Sequence, residues 1–237
     1  MCGFAGFVGE VENREQVLEN MIDTIIHRGP DSSGKFVDED AALGFRRLSI
    51  IDLSESGDQP LYNEDRSKVL VFNGEIYNYQ ELREELIQAG HTFVSNTDSE
   101  TLIHGYEQWG EELVYRLRGM YAFAIWDQKA KRLFSARDIF GIKPLYYAQM
   151  NGTLMFGSEI KSFLEHPKFD KVFNEDALGN YLSFQFVPTN ETFFKGVFCV
   201  QPGHYFVYEN GKMTIKRYFE PNFTGDTTKS FEEVVDD

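Results

Sequence analysis

The chain opens MCGFAGFVG, alternating small and apolar residues that predict a buried strand beginning at residue 2, with glycines that permit close backbone approach. Such a fold takes the N-terminus into a sheet and leaves Cys2 at the head of its first strand. Met1 can be trimmed when a small residue follows it, so Cys2 could carry both a thiol and a free α-amine. The amine titrates near ~8 and an ordinary thiol near ~8.5, which gives the nucleophile a base on the same residue. Standing alone, Cys2 reads first as an inert residue of that strand.

Composition narrows the function classes. The 237 residues are 42% apolar, enough for a sizeable core in one large domain, and the net charge is −15. A charge of that sign argues against gripping nucleic acid or an anionic membrane. No apolar run reaches the roughly 18 residues of a membrane span, and no signal peptide opens the chain, so a cytoplasmic location is expected. Two cysteines, Cys2 and Cys199, make a disulfide framework improbable, with Cys199 expected in the core. His27, His91, His104, His166 and His204 show no close pairing with each other or with cysteine, and no metal is expected.

Helices are predicted where capping boxes precede apolar residues at helical spacing: Asn13 with Gln16, Asn78 with Glu81, and Thr97 with Glu100. A further helix is expected over residues 175–184 and a short one opening at Ser158. Strands are expected over 41–51 and 68–73, followed from Met120 by MYAFAIWD, RLFSARD, PLYYAQ and TLMFGS as consecutive antiparallel strands. Asn151 with Gly152, and Asn210 with Gly211, mark hairpin turns. The terminal SFEEVVDD looks like the first turn of a helix that continues elsewhere. Together these elements predict an α+β fold of two stacked, mainly antiparallel β-sheets covered by helices.

Three further segments offer polar groups suited to an amide-cleaving site. Arg47 follows a strand and could fork onto a carboxylate, or simply form a surface salt bridge. Asn73 and Gly74 end an apolar strand. There an Asn amide beside a close-approaching backbone could donate twice to an oxyanion, unless the pair is only an Asn-Gly turn. Asp98 opens a helix, where it could cap the exposed N–H groups or receive a ligand's ammonium.

MCGFAG, HRGPD (27–31), RLSIIDLS (47–54), QPLYN (59–63), FNGEIYNY (72–79), TDSE (97–100), RDIFGIKPLYY (137–147) and FGSEIK (156–161) occur in order through nearly the whole chain. Together they resemble the glutaminase domain of class II glutamine amidotransferases, members of the N-terminal nucleophile hydrolases, most closely the asparagine synthetase branch. The resemblance implies an αββα sandwich and hydrolysis of L-glutamine. It implies Cys2 as nucleophile with its freed amine as base, Asn73 and Gly74 as oxyanion hole, and Arg47 as holder of the α-carboxylate. Leu48, Ser49, Ile50 and Ile51 would line the pocket, and Glu75 and Asp98 would receive the α-ammonium. Ser99 stands where threonine is frequent in the family, and Arg46 precedes the motif arginine. HRGPD matches the family as a structural turn, so a Cys2–His27 dyad is rejected.

The resemblance also implies that residues 2–219 form the glutaminase domain and 220–237 a linker into a C-terminal synthetase domain. This half needs no cofactor, whereas ATP and Mg2+ belong to that further domain. A homodimer of the full-length protein is compatible with the resemblance. Three other readings stay open: an amidotransferase serving another carboxylate, a non-catalytic glutamine-binding module, and a different N-terminal cysteine acylase.

Overall fold

The structure, a computed structural model, describes residues 2–48, 57–222, 228 and 230–236. Twelve strands among them form two six-stranded antiparallel sheets. One sheet contains β1 (Gly3–Val8), β2 (Ser32–Val37), β3 (Ala41–Arg47), β8 (Tyr146–Met150), β9 (Thr153–Gly157) and β10 (Val197–Cys199), in the order β10-β8-β9-β1-β3-β2. The other contains β4 (Leu61–Tyr62), β5 (Lys68–Ile76), β6 (Gly119–Asp127), β7 (Arg132–Arg137), β11 (His204–Glu209) and β12 (Lys212–Arg217), in the order β12-β11-β7-β6-β5-β4.

Side-chain alternation along these strands builds three apolar layers. Phe4, Leu43, Phe45, Val69, Val71 and Trp126 meet between the sheets. Their neighbours Ala5, Phe7 and Ala42 turn outward against Leu18, Met21 and Ile22 of helix α1 (Arg14–Asp23). On the other face Leu70 and Phe72 pack with Leu82 of α2 (Tyr79–Gln88) and Leu102, Ile103 and Tyr106 of α3 (Ser99–Trp109). Each large apolar side chain buried this way contributes about 1.5–3 kcal/mol, so the alternation is strongly enforced. The result is the expected αββα sandwich. Helix α4 (Glu175–Phe184) falls on the expected residues, and α5 (Phe231–Asp236) is the expected terminal turn.

Several local expectations need correction. None of the three capping boxes forms. Asn13 takes a left-handed conformation without a side-chain cap, and Gln16 donates instead to Asn20. The Asn78 side chain bridges the Arg116 carbonyl and the Arg118 N–H, both at 2.9 Å, tying α2 to the approach to β6. Glu100 does reach back, but to the N–H groups of Val94 and Ser95. The short helix expected after Ser158 forms as a 3-10 helix over Ile160–Glu165, while the Ser158 hydroxyl accepts the Phe4 N–H and holds β1.

The four strands after Met120 are not consecutive neighbours. β6 and β7 pair in one sheet and β8 and β9 in the other, so RDIFGIKPLYY crosses between layers. Strands β2, β4 and β10 had no strong periodic signal and go beyond the expected elements. Both Asn-Gly turns fold as expected, with positive φ at Asn151, Gly152, Asn210 and Gly211. Among the described residues no helix is long and apolar enough to cross a membrane.

Candidate functional site

The same alternation that builds the inter-sheet layer carries its rows on to polar residues at one end. Phe4 faces that layer, and Cys2, one period earlier, packs at its edge. Leu43 and Phe45 are followed on their face by Arg47. Val69 and Val71 are followed by Asn73 and Glu75. These rows open on a cleft of about 200 Å³ whose walls include Cys2, Arg47, Leu48, Asn73, Gly74, Glu75, Asp98 and Lys143. Ser49, Ile50 and Ile51 lie outside the described residues.

Cys2 is held on both sides. Its sulfur receives the Leu48 N–H at 3.4 Å and lies 3.5 Å from the Leu48 carbonyl. Its own carbonyl accepts from Arg28 Nε at 3.0 Å, and Arg28 Nη1 is paired with Glu159 at 3.0 Å. His27 points elsewhere: its exposed ring meets Glu159 at 2.9 Å and does not line the cleft. The turn reading of HRGPD therefore holds, and Arg28 is the residue of that motif that reaches Cys2.

Parity separates the two adjacent arginines. Arg46 leans over α1, donating to the Ile22 carbonyl and pairing with Asp23. Arg47, only 8% exposed, points into the cleft, where Asp58 pairs with Nη1 at 2.8 Å. A salt bridge and a place in the cleft thus coexist.

Asn73 and Gly74 are not a turn. They lie within β5, opposite Ala122 and Tyr121 of β6. Asn73 is 2% exposed, yet its Nδ2 finds no hydrogen-bond partner among the described residues. A buried amide donor left open this way costs about 1–3 kcal/mol, a cost that a ligand oxygen would remove. At Gly74 a Cβ would fall 2.2 Å from the Met120 carbonyl oxygen, so only glycine fits. Gln59 stabilises the same strand from its free edge: its side chain accepts from the Phe72 N–H at 2.6 Å and donates to the Phe72 carbonyl at 3.3 Å.

Asp98 does not cap α3 with its side chain. Its carboxylate accepts the Ile76 N–H at 2.8 Å, which docks the start of the helix beside the end of β5. Burial raises its pKa to about 6, against the lowering effect of the Ile76 hydrogen bond, and the nearby Glu75 charge adds to the rise. The cleft therefore offers two cationic side chains, Arg47 and Lys143, and two acids, Glu75 and Asp98, so both ends of a zwitterionic amino acid find opposite charge.

Arg28, Gln59 and Lys143 join the expected site residues, and they lie in HRGPD, QPLYN and RDIFGIKPLYY. Lys143 is 5% exposed in the cleft wall, and burial, with the Arg28 charge, lowers its pKa. Its loop is shaped by two buried or half-buried residues. Asp138 accepts the Phe140, Ile142 and Lys143 N–H groups at 3.0 Å, and Arg137 donates to the carbonyls of Gly141, Lys143 and Val200. Cys199 is half-buried rather than fully in the core. It receives Arg137 Nη1 at 3.0 Å, and burial raises its pKa. It lines a separate pocket with Tyr146.

Residues 1–219 match the family described as glutamine amidotransferase domain. The chain belongs to this class II glutamine amidotransferase family. It is 46% identical over 229 residues to asparagine synthetase [glutamine-hydrolyzing] 1 of Bacillus subtilis, covering 94% of this chain and 36% of that protein. It is 36% identical over 252 residues to amidase chyE of Penicillium rubens, covering 99% and 37% respectively. The chain thus spans little more than a third of these curated relatives. Among solved structures, the glutamine phosphoribosylpyrophosphate amidotransferase of B. subtilis superposes with a TM-score of 0.69 at 21% identity, over 93% of this chain and 50% of that one. That likeness extends the amidotransferase fold to the αββα sandwich described above.

Proposed function

We propose that this chain hydrolyses L-glutamine to L-glutamate and ammonia through a γ-glutamyl thioester on Cys2. The observation that carries the proposal is the unpartnered, buried Asn73 amide on the row that opens beside Cys2. Removal of Met1 frees the Cys2 α-amine, which takes the thiol proton as sulfur attacks the side-chain amide. The oxyanion that forms rests on Asn73 and Gly74, in a strand that Gln59 and β6 hold in place. The amine returns the proton to the leaving nitrogen, the C–N bond breaks, and ammonia departs. Water then adds to the thioester carbonyl, and the C–S bond breaks to release glutamate and restore the thiol.

Arg47 fixes the α-carboxylate while Asp98 and Glu75 face the α-ammonium, with Leu48 along the wall. Arg28 and Lys143 act on position and charge around Cys2. The test is direct: glutamine-dependent ammonia release should be present in the trimmed chain and absent from Cys2→Ala.

Residues 2–219 are the glutaminase domain in this reading, and 220–237 lead into a synthetase domain that uses ATP and Mg2+ to amidate aspartate in the cytoplasm. The exposed apolar side chains of and after α4, including Leu182 (73%), Phe184 (58%) and Phe186 (60%), support a covering domain there. A second reading keeps the same glutaminase chemistry but passes the ammonia to another carboxylate. Assay of the longer protein with aspartate and ATP separates the two.

A further inference from the structure

We infer that Glu64, His91, His104 and Glu107 form a site for one divalent transition-metal ion of the zinc class, apart from the glutamine cleft. Each offers one ligand atom, and the four atoms lie within 4.8 Å of one another. His104 Nδ1 is 3.3 Å from Glu107 and 3.6 Å from Glu64, and His91 Nδ1 is 3.9 Å from Glu107. A tetrahedral zinc ion with bonds of about 2.0–2.1 Å separates its ligand atoms by roughly 3.3–3.4 Å, so small side-chain movements suffice. Two imidazoles and two carboxylates are a donor set suited to such an ion.

The surroundings have the outer partners that metal ligands need. The side chain of His104 is 2% exposed, and its other ring nitrogen, without a hydrogen-bond partner among the described residues, lies 3.5 Å from the buried Glu100 carboxylate. The second oxygen of Glu107 accepts from Asn63 at 2.7 Å. The second ring nitrogen of His91 meets Gln108 at 3.2 Å. An amide stands behind His91 and Glu107 and a carboxylate behind His104, and loss of such a partner typically costs 10–100-fold in metal affinity.

The ligands come from three segments: the turn between β4 and β5, the residue region after α2, and one turn of α3. Their wide spacing in sequence is why the expectation of no metal arose, while the fold brings the two imidazole rings to 5.2 Å. An ion here would pin α3 to the β4–β5 turn. His104 lies about 9 Å along the helix from Asp98 at the cleft, so the role is structural.

The test uses the chelator-treated 237-residue chain in a Cys2→Ala background, which removes the reactive thiol as a competing ligand. Equilibrium dialysis against Zn2+ at pH 8, with elemental analysis, should find one ion per chain, and the thermal midpoint should rise with added metal. Co2+ should give the visible bands of a four-coordinate site. His91→Gln and Glu64→Gln, both at solvent-reachable positions, should each weaken binding at least about 10-fold while the metal-free chain stays folded. Absence of stoichiometric binding, or unchanged affinity in both variants, would overturn the site.

Discussion

The Asp98 carboxylate accepts the Ile76 N–H at 2.8 Å, three residues beyond the open Asn73 amide, so one hydrogen bond joins helix α3 to the strand that carries the proposed oxyanion donor. The same burial that makes this join raises the Asp98 pKa to about 6. Its stability effect runs opposite to that of a salt-bridged acid. An aspartate unfolded near ~3.9 and folded near 6 binds more protons when folded, so stability falls as pH rises through that window. Asp98→Asn should therefore gain up to about 2 kcal/mol at pH 7.5, read by chemical denaturation, and gain little at pH 4.

Binding of glutamine should show the reverse dependence. If ionised Asp98 faces the α-ammonium, KM rises as pH drops below about 6, and Asp98→Asn removes that rise while increasing KM at neutral pH. Initial rates across pH 5–8 in both proteins decide this. An unchanged KM in the variant contradicts the assignment.

Asn73→Ala should reduce kcat on the order of 100-fold to 1,000-fold with little change in KM, because an oxyanion donor acts mainly in the transition state. Steady-state ammonia release measures it. The buried Nδ2 finds no hydrogen-bond partner among the described residues, so removing it relieves the cost of an open donor and the domain should not lose thermal stability.

Arg47→Ala should chiefly raise KM, as expected for loss of a contact made equally in ground and transition states. Lysine at 47 should recover only part of the loss, since a point charge cannot reproduce the guanidinium fork. Equal losses in kcat and kcat/KM from Arg47→Ala would count against a binding role.

Gly74→Ala should destabilise the domain by about 1–3 kcal/mol or more, since the added Cβ meets the Met120 carbonyl oxygen at 2.2 Å and the strand must shift. Differential scanning calorimetry reads the change.

The layers of this fold were legible because alternation and apolar spacing are enforced by burial: Leu18, Met21 and Ile22 on α1, or Val69 to Phe72 on β5, could hardly pack otherwise. Caps were less legible, since Asn78 and Ser158 found partners remote in sequence that outcompeted the local N–H groups. The site residues stood in quoted motifs, yet motif strings do not reveal that Arg46 and Arg47 diverge by strand parity, or that Arg28 holds the Cys2 carbonyl. Strand β10 and the His91–His104 pairing depend on contacts between distant segments, and no local pattern announces them.

The proposed chemistry requires a trimmed N-terminus and a reactive Cys2. Incubation of the chain with a glutamine-like electrophile, followed by mass spectrometry of the N-terminal peptide, examines both at once. A peptide beginning at Cys2 and carrying one label, with label suppressed by glutamine, is the expected result. Retained Met1, or label on Cys199 with Cys2 unmodified, would contradict the mechanism.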